Sequence, residues 1–303
     1  MHLLKISILL SLIFLSSCGP QPIKEKIVTT AGAAANPNAP AKWDASSFPL
    51  PIKVSTSFDA TEDTQIRAMA AKWETAGNNE QDFFTLNDNS ATTTNKEYSS
   101  LNSYYDSEMG IYKSTSWFSD VSSYALAITQ FWGYRRNVGS SNEFIQLTHA
   151  DIIMNYNNYD FALDDFSGDN YFKYDLASVV LHEMGHFLGL YHDSSSTDTV
   201  MKSTINSGTE KRTPFSADET AIQQKYGLNG YSSGLMANTQ KLSGSFSTDK
   251  VKSEQEGEFV GGRIELRSTG TCHHIINGKQ VHSHKLNSKK LKKFIQTLKK
   301  RKI

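Results

Sequence analysis

The sequence predicts a layered α+β domain from three observations. Pro51 to Phe58 alternates apolar and polar residues, with Ile52, Val54 and Phe58 prominent, as a half-buried strand does. Directly after it, Ile66, Met69, Ala70 and Trp73 recur at helical spacing. Further on, Ala150 to Tyr156 reads as a strand, and Asp175 can cap a helix running through Leu190. Strands with one helix between them, followed by further helices, bury their apolar faces as two packed layers.

The elements follow in order. Residues 18 to 42 read as a flexible tether, because Ala31 to Ala41 is rich in Ala, Asn and Pro and has no apolar period. Order is expected from Trp43. Asp59 or Thr61 can cap the first helix, and Gly77 can end it. Asn87 to Glu108 is polar and reads as loop. Ile111 to Phe118 and Tyr124 to Tyr134 are aromatic and β-prone. Ser216 or Asp218 starts a last helix that ends at Tyr226-Gly227. Residues 43 to 228 are thus one domain. Residues 229 to 287 form a small β-hairpin-containing region, with Asn277-Gly278 as a two-residue turn. Residues 288 to 303 form a basic amphipathic tail.

Composition narrows the function. The 303 residues are 38% hydrophobic and 11% aromatic, enough for a packed core. Lys plus Arg is 31 and Asp plus Glu is 31, so no global charge favours nucleic acid, and none is expected as a partner. A monomer is expected.

Residues 1 to 17 read as a targeting segment. Lys5 precedes the ten-residue apolar run Ile6 to Leu15, too short to span a bilayer as a stable helix. Leu15-Ser16-Ser17-Cys18 follows and resembles the bacterial lipoprotein signal, which implies cleavage before Cys18 and lipidation of its thiol. The alternative is an ordinary secretory signal with an incidental cysteine. Gly19 in place of an aspartate favours, by the same resemblance, the outer membrane or cell surface. Cys18 and Cys272 are the two cysteines, so a lipidated Cys18 leaves no intramolecular disulfide.

The chemistry is carried by His182-Glu183-Met184-Gly185-His186-Phe187-Leu188-Gly189-Leu190-Tyr191-His192. Histidines four apart on a helix share one face and can share one ion. Gly189 permits a left-handed exit from the helix that could bring His192 round as a third ligand. Three neutral nitrogens leave a fourth zinc position open for water. Glu183, beside that face, can activate the water without being a ligand.

This H-E-x-x-H-x-x-G-x-x-H motif resembles that of the metzincin zinc proteases. Within them, residues 43 to 228 look like a bacterial relative of the matrixins. Pro51-Ile-Lys-Val54, Ala68-Met69-Ala-Ala-Lys-Trp73, Ala150-Asp151-Ile152-Ile153 and Ser216 to Gly227 sit where matrixins have similar segments. The resemblance implies a twisted, mostly parallel five-stranded sheet, a helix after the first strand, an active-site helix and a C-terminal helix. It implies one catalytic zinc held by His182, His186 and His192, with Met201 as the hydrophobic floor of a Met-turn. It also implies a metalloendopeptidase acting on proteins or peptides, extended substrate pairing with an edge strand. Asp193 and Ser203 depart from the usual matrixin serine and proline at those positions. An inactive protease-like lipoprotein that binds zinc and acts as a binding module is the alternative. Intact Glu183 argues against it.

Four further expectations concern the periphery. His149 and the acids Asp160, Asp164, Asp165 and Asp169 suggest either a calcium site or, more simply, a solvated loop. Pairing Ile276 with Lys279 across the turn sets His273 opposite His282, with His284 diagonal, as an auxiliary metal site or as plain surface histidines. Cys272, an unpaired thiol in an exported chain, is a candidate cap on the catalytic zinc. Leu291, Phe294, Ile295 and Leu298 form an apolar stripe among lysines that could lie on an anionic membrane.

Overall fold

The computed structural model describes residues 35–36, 38–86, 89–163, 168–232, 257–269 and 271–285. Strand β1 (Ala41–Lys42) leads into β2 (Lys53–Ser55), where Ile52 and Val54 are wholly buried. Helix α1 (Ala60–Ala76) starts in a capping box. Asp59 accepts from Thr61 and Glu62 backbone N–H groups, and the Glu62 carboxylate accepts from Asp59 N at 2.8 Å. Its residues Ile66, Met69, Ala70 and Trp73 all face the core.

Four strands follow: β3 (Thr92–Thr93), β4 (Gly110–Ser114), β5 (Ala125–Arg136) and β6 (Phe144–Asn155). Spatially the order is β3-β2-β4-β6-β5, every pairing parallel except β5 with β6, and β1 adds a short parallel pairing to β6. The chain is therefore an α+β fold built on a mostly parallel sheet. Parallel strands are covered on their faces: the second helix packs against β5 and β6, and α1 packs against that helix. A minor pair, β7 (Phe161–Ala162) and β8 (Tyr174–Asp175), sits at the foot of helix α2 (Leu176–Phe187). Helix α3 (Ser216–Tyr226) closes the domain, and Gly227 leaves it at φ 68°.

The sheet does not stop at five strands. β9 (Phe259–Arg267) pairs antiparallel with β5, and β10 (Thr271–Ile276) and β11 (Lys279–Lys285) follow, again antiparallel. An edge strand presents an unpaired row of N–H and C=O groups. Here the region expected as a separate small appendage covers that row.

Two segments differ from expectation. Asn87 to Glu108, read as loop, holds β3 and a 3-10 turn at Leu101–Tyr104, because Leu101 and Tyr104 pack beneath Tyr112 and Phe118. The strand expected at 150–156 begins at Phe144, since β5 and β6 form one long hairpin. In the last hairpin, Asn277 (φ 49°) and Gly278 (φ 71°) make the expected turn and Ile276 faces Lys279. A β-bulge between His274 and Ile275 then moves the register by one. His273 therefore faces Ser283, while His274 faces His282 and Cys272 faces His284. The expected pairing of His273 with His282 is thus replaced, in the backbone register, by His274 with His282. Among the described residues no helix is long and apolar enough to cross a membrane.

Candidate metal centre and active site

Helix α2 is buried along its whole length. Asp175 caps it, accepting from Ser178 N at 2.9 Å, and is itself paired with Arg212. The N–H groups of Trp73 and Trp43 donate to the carbonyls of Leu181 (2.9 Å) and Phe187 (2.6 Å), which fixes the helix against both neighbours. His182 and His186 emerge from one face, one turn apart.

Gly189 ends the helix at φ 82°, and Leu190 N donates back to Gly185 O at 2.9 Å. A Cβ on Gly189 would lie 2.3 Å from the Ala41 carbonyl oxygen, so sterics and φ both require glycine there. The turn carries His192 back to the helix. Its Nε2 lies 3.2 Å from His182 Nε2 and 3.0 Å from His186 Nε2.

The opposite ring nitrogens explain the tautomers. His182 Nδ1 donates to Val200 O and His186 Nδ1 donates to Leu190 O, each at 2.7 Å. His192 Nδ1 lies 2.9 Å from His274 Nε2, on β10. With Nδ1–H groups bound outward, the Nε2 lone pairs of His182 and His186 point at their common centre. Burial holds the His182 imidazole neutral, its pKa lowered to about 4. Nitrogens about 3.3 Å apart are what tetrahedral Zn–N bonds of about 2.0–2.1 Å imply. The donor set, spacing and protonation therefore fit a zinc ion. Among the described residues these three histidines form the group able to hold a metal.

Glu183 lies next to this cluster with no exposure. Its Oε2 accepts from the Thr129 hydroxyl at 2.6 Å. Burial pushes its carboxyl up to about 8, opposed by Thr129 and by the Leu266 amide. Met201 lies under α2: a Cβ on Gly185 would meet its Sδ at 2.4 Å. Asp218 of α3 holds this turn, accepting from the Thr199 hydroxyl and from Val200 N at 2.9 Å. Asp193 N donates to Met201 O at 2.8 Å and so ties the turn back to His192.

A matrixin family model (Peptidase_M10) matches residues 45–227. The chain belongs to the matrixin family. Among curated proteins, this matrixin is 36% identical over 103 residues to Metalloendoproteinase 5-MMP of Arabidopsis thaliana, covering 34% of the chain and 27% of that protein. To Metalloendoproteinase 2-MMP of the same plant it is 38% identical over 97 residues, 32% of the chain and 24% of that protein. The matched stretch spans about a quarter of the length of these relatives.

The structure thus brings together His182, Glu183, His186, Gly189, His192 and Met201. His149 instead binds Tyr104 O and Asp151 Oδ2, both at 2.9 Å, as a buried polar pair. Asp164 and Asp165, the side chains of Asp169, Cys272, His273, His282 and His284, residue Cys18 and the basic tail 288–303 lie outside the described residues. Thr129, Asp218 and His274 were not anticipated at the site. Thr129 carries a faint signal, a hydroxyl in the apolar run Ala125 to Phe131. His274 carries none, because its placement depends on the bulge.

Proposed function

We propose that this matrixin is a zinc-dependent endopeptidase that hydrolyses peptide bonds in proteins or peptides. The carrying observation is the convergence of three imidazole Nε2 atoms beside a buried carboxylate. His182, His186 and His192 would hold the ion. Zinc, when bound, acts as a Lewis acid that polarises a carbonyl and acidifies water. Glu183 is the base: one carboxylate oxygen is fixed by Thr129, and the carboxylate takes the proton of the attacking water and returns it to the leaving amine. Met201 and Trp73 hold the helix bearing these groups in place.

The test compares the full chain with Glu183→Ala and His192→Ala. Zinc content is measured alongside cleavage of a mixture of quenched fluorescent peptides. Glu183→Ala should keep zinc and lose about 10²–10⁴ in rate, the share of a general base. His192→Ala should lose zinc as well. Cleavage by Glu183→Ala at the wild-type rate would overturn the role of Glu183. Zinc retained with no cleavage, even in the opened forms described below, would favour a binding module.

The apolar run ending at Leu15-Ser16-Ser17-Cys18 supports an exported, lipid-anchored chain at the outer membrane or cell surface. Fatty-acid labelling of the chain in a bacterial host should vanish in Cys18→Ser. Equal labelling of both would remove the anchor.

A further inference from the structure

Strand β9 runs directly over the active site. Thr129, which holds Glu183, is the register partner of Ile264, and Ala127 is that of Leu266. On the opposite edge, Arg267 N donates to Ser203 O at 3.2 Å and Ile205 N donates to Arg267 O at 3.3 Å. Ser203 to Ile205 directly follows Met201. Residues 264–267 therefore pair with the β5 wall on one edge, and Arg267 is bonded on the other edge to the segment after the Met-turn. Ile264 and Leu266 are buried in the core. The next strand, β10, reaches the site through His274, whose Nε2 meets Nδ1 of His192.

Any peptide bond to be cut must come within reach of a water held between Glu183 and the three Nε2 atoms. An extended peptide gains most of its affinity by adding a strand to an exposed edge. The edge nearest Glu183 is β5, and β9 already fills it. With β9 in place Glu183 has no exposure, so neither substrate nor bulk water meets the base.

We infer that residues 259–267 are an internal occupant of the substrate cleft, clasped by His274, and that the chain is latent until this strand leaves β5. The inference rests on the proteolytic reading of the same site. A tethered strand competes at an effective concentration in the millimolar range, which suppresses an external peptide strongly without any covalent block.

The experiment uses the full, zinc-loaded chain in three forms, with a peptide hydroxamate as probe. The probe must enter the cleft to reach the metal. A Tyr134→Cys, Phe259→Cys pair in a Cys272→Ser background locks β9 to β5 at a register pair remote from the histidines. Gly262→Val is a wedge: a Cβ there would stand 2.5 Å from the Phe131 ring and 2.8 Å from Ile275 O. Probe affinity, peptide cleavage and hydrogen exchange at 259–267 are measured together. Relative to wild type, the oxidised lock should bind and cleave at least tenfold more weakly and recover on reduction. The wedge should bind at least tenfold more tightly, and bound probe should raise exchange at 259–267. Should the wedge not fold, the lock decides alone. An oxidised lock that binds and cleaves like its reduced form overturns the inference. So does bound probe that leaves 259–267 protected, or a probe that binds no zinc-loaded form. If probe binding follows the expected order and no form cleaves peptides, occupancy of the cleft stands and the proteolytic reading fails.

Discussion

Thr129 shows how far a single hydroxyl can matter. It donates at 2.6 Å to Oε2 of Glu183, a side chain with no solvent exposure, and hydrogen bonds to charged groups such as the carboxylate base are worth about 1.5–3 kcal/mol. Thr129→Val keeps the shape and removes the donor. Cleavage should fall roughly 10–100-fold with zinc content unchanged, read as kcat beside metal analysis. Unchanged kcat would mean that the helix alone orients Glu183. Gly189→Ala acts differently: strain at φ 82° and a contact 2.3 Å from Ala41 O should displace His192, so zinc affinity falls with stability. Calorimetric titration of zinc would detect both. The ligands were legible in the sequence because helical period and one glycine place them locally. Thr129 was not, because its partner lies 54 residues away and only the register of β5 over α2 unites them.

At the scale of elements, Asp218 couples α3 to the Met-turn. Its carboxylate accepts from the Thr199 hydroxyl, from Val200 N and from Phe215 N, so it serves helix start and turn together. Removing a buried acceptor leaves its donors unpaired, each at about 1–3 kcal/mol. Asp218→Ala should therefore cost about 3 kcal/mol. That lowers Tm by roughly 6–12 °C for a domain of this size, measurable by calorimetry. A loss within 2 °C would show the turn held by packing alone. The helices were legible from period and caps, as Asp59 and Asp175 illustrate. The last hairpin was legible only at its turn. Asn277-Gly278 sets the first two pairs, but the bulge between His274 and Ile275 accompanies the packing of His274 against His192, a contact between distant segments.

At the scale of the molecule, the two-layer core was legible because alternation in β2 and helical spacing in α1 each announce a buried face. The covered edge was not, since β9 carries no mark of which strand it will join. The core and the metal centre are nonetheless one object. α2 is both the central helix of the core and the bearer of two ligands, and the Nε2 atoms of His182 and His186 lie 3.2 and 3.0 Å from that of His192, where lone pairs facing one another repel unless a cation lies between them. Native structure and bound zinc should therefore be linked: an ion that binds the folded chain stabilises it by about 4 kcal/mol at a thousandfold excess over its Kd. Chelation should lower Tm by roughly 8–16 °C, and added zinc should restore it. His192→Ala should have a low Tm that chelator no longer moves. The alternative outcome, a wild-type Tm indifferent to chelator, would mean that covering strands β9 and β10 hold the three imidazoles together without the ion, and that zinc serves chemistry without serving the fold.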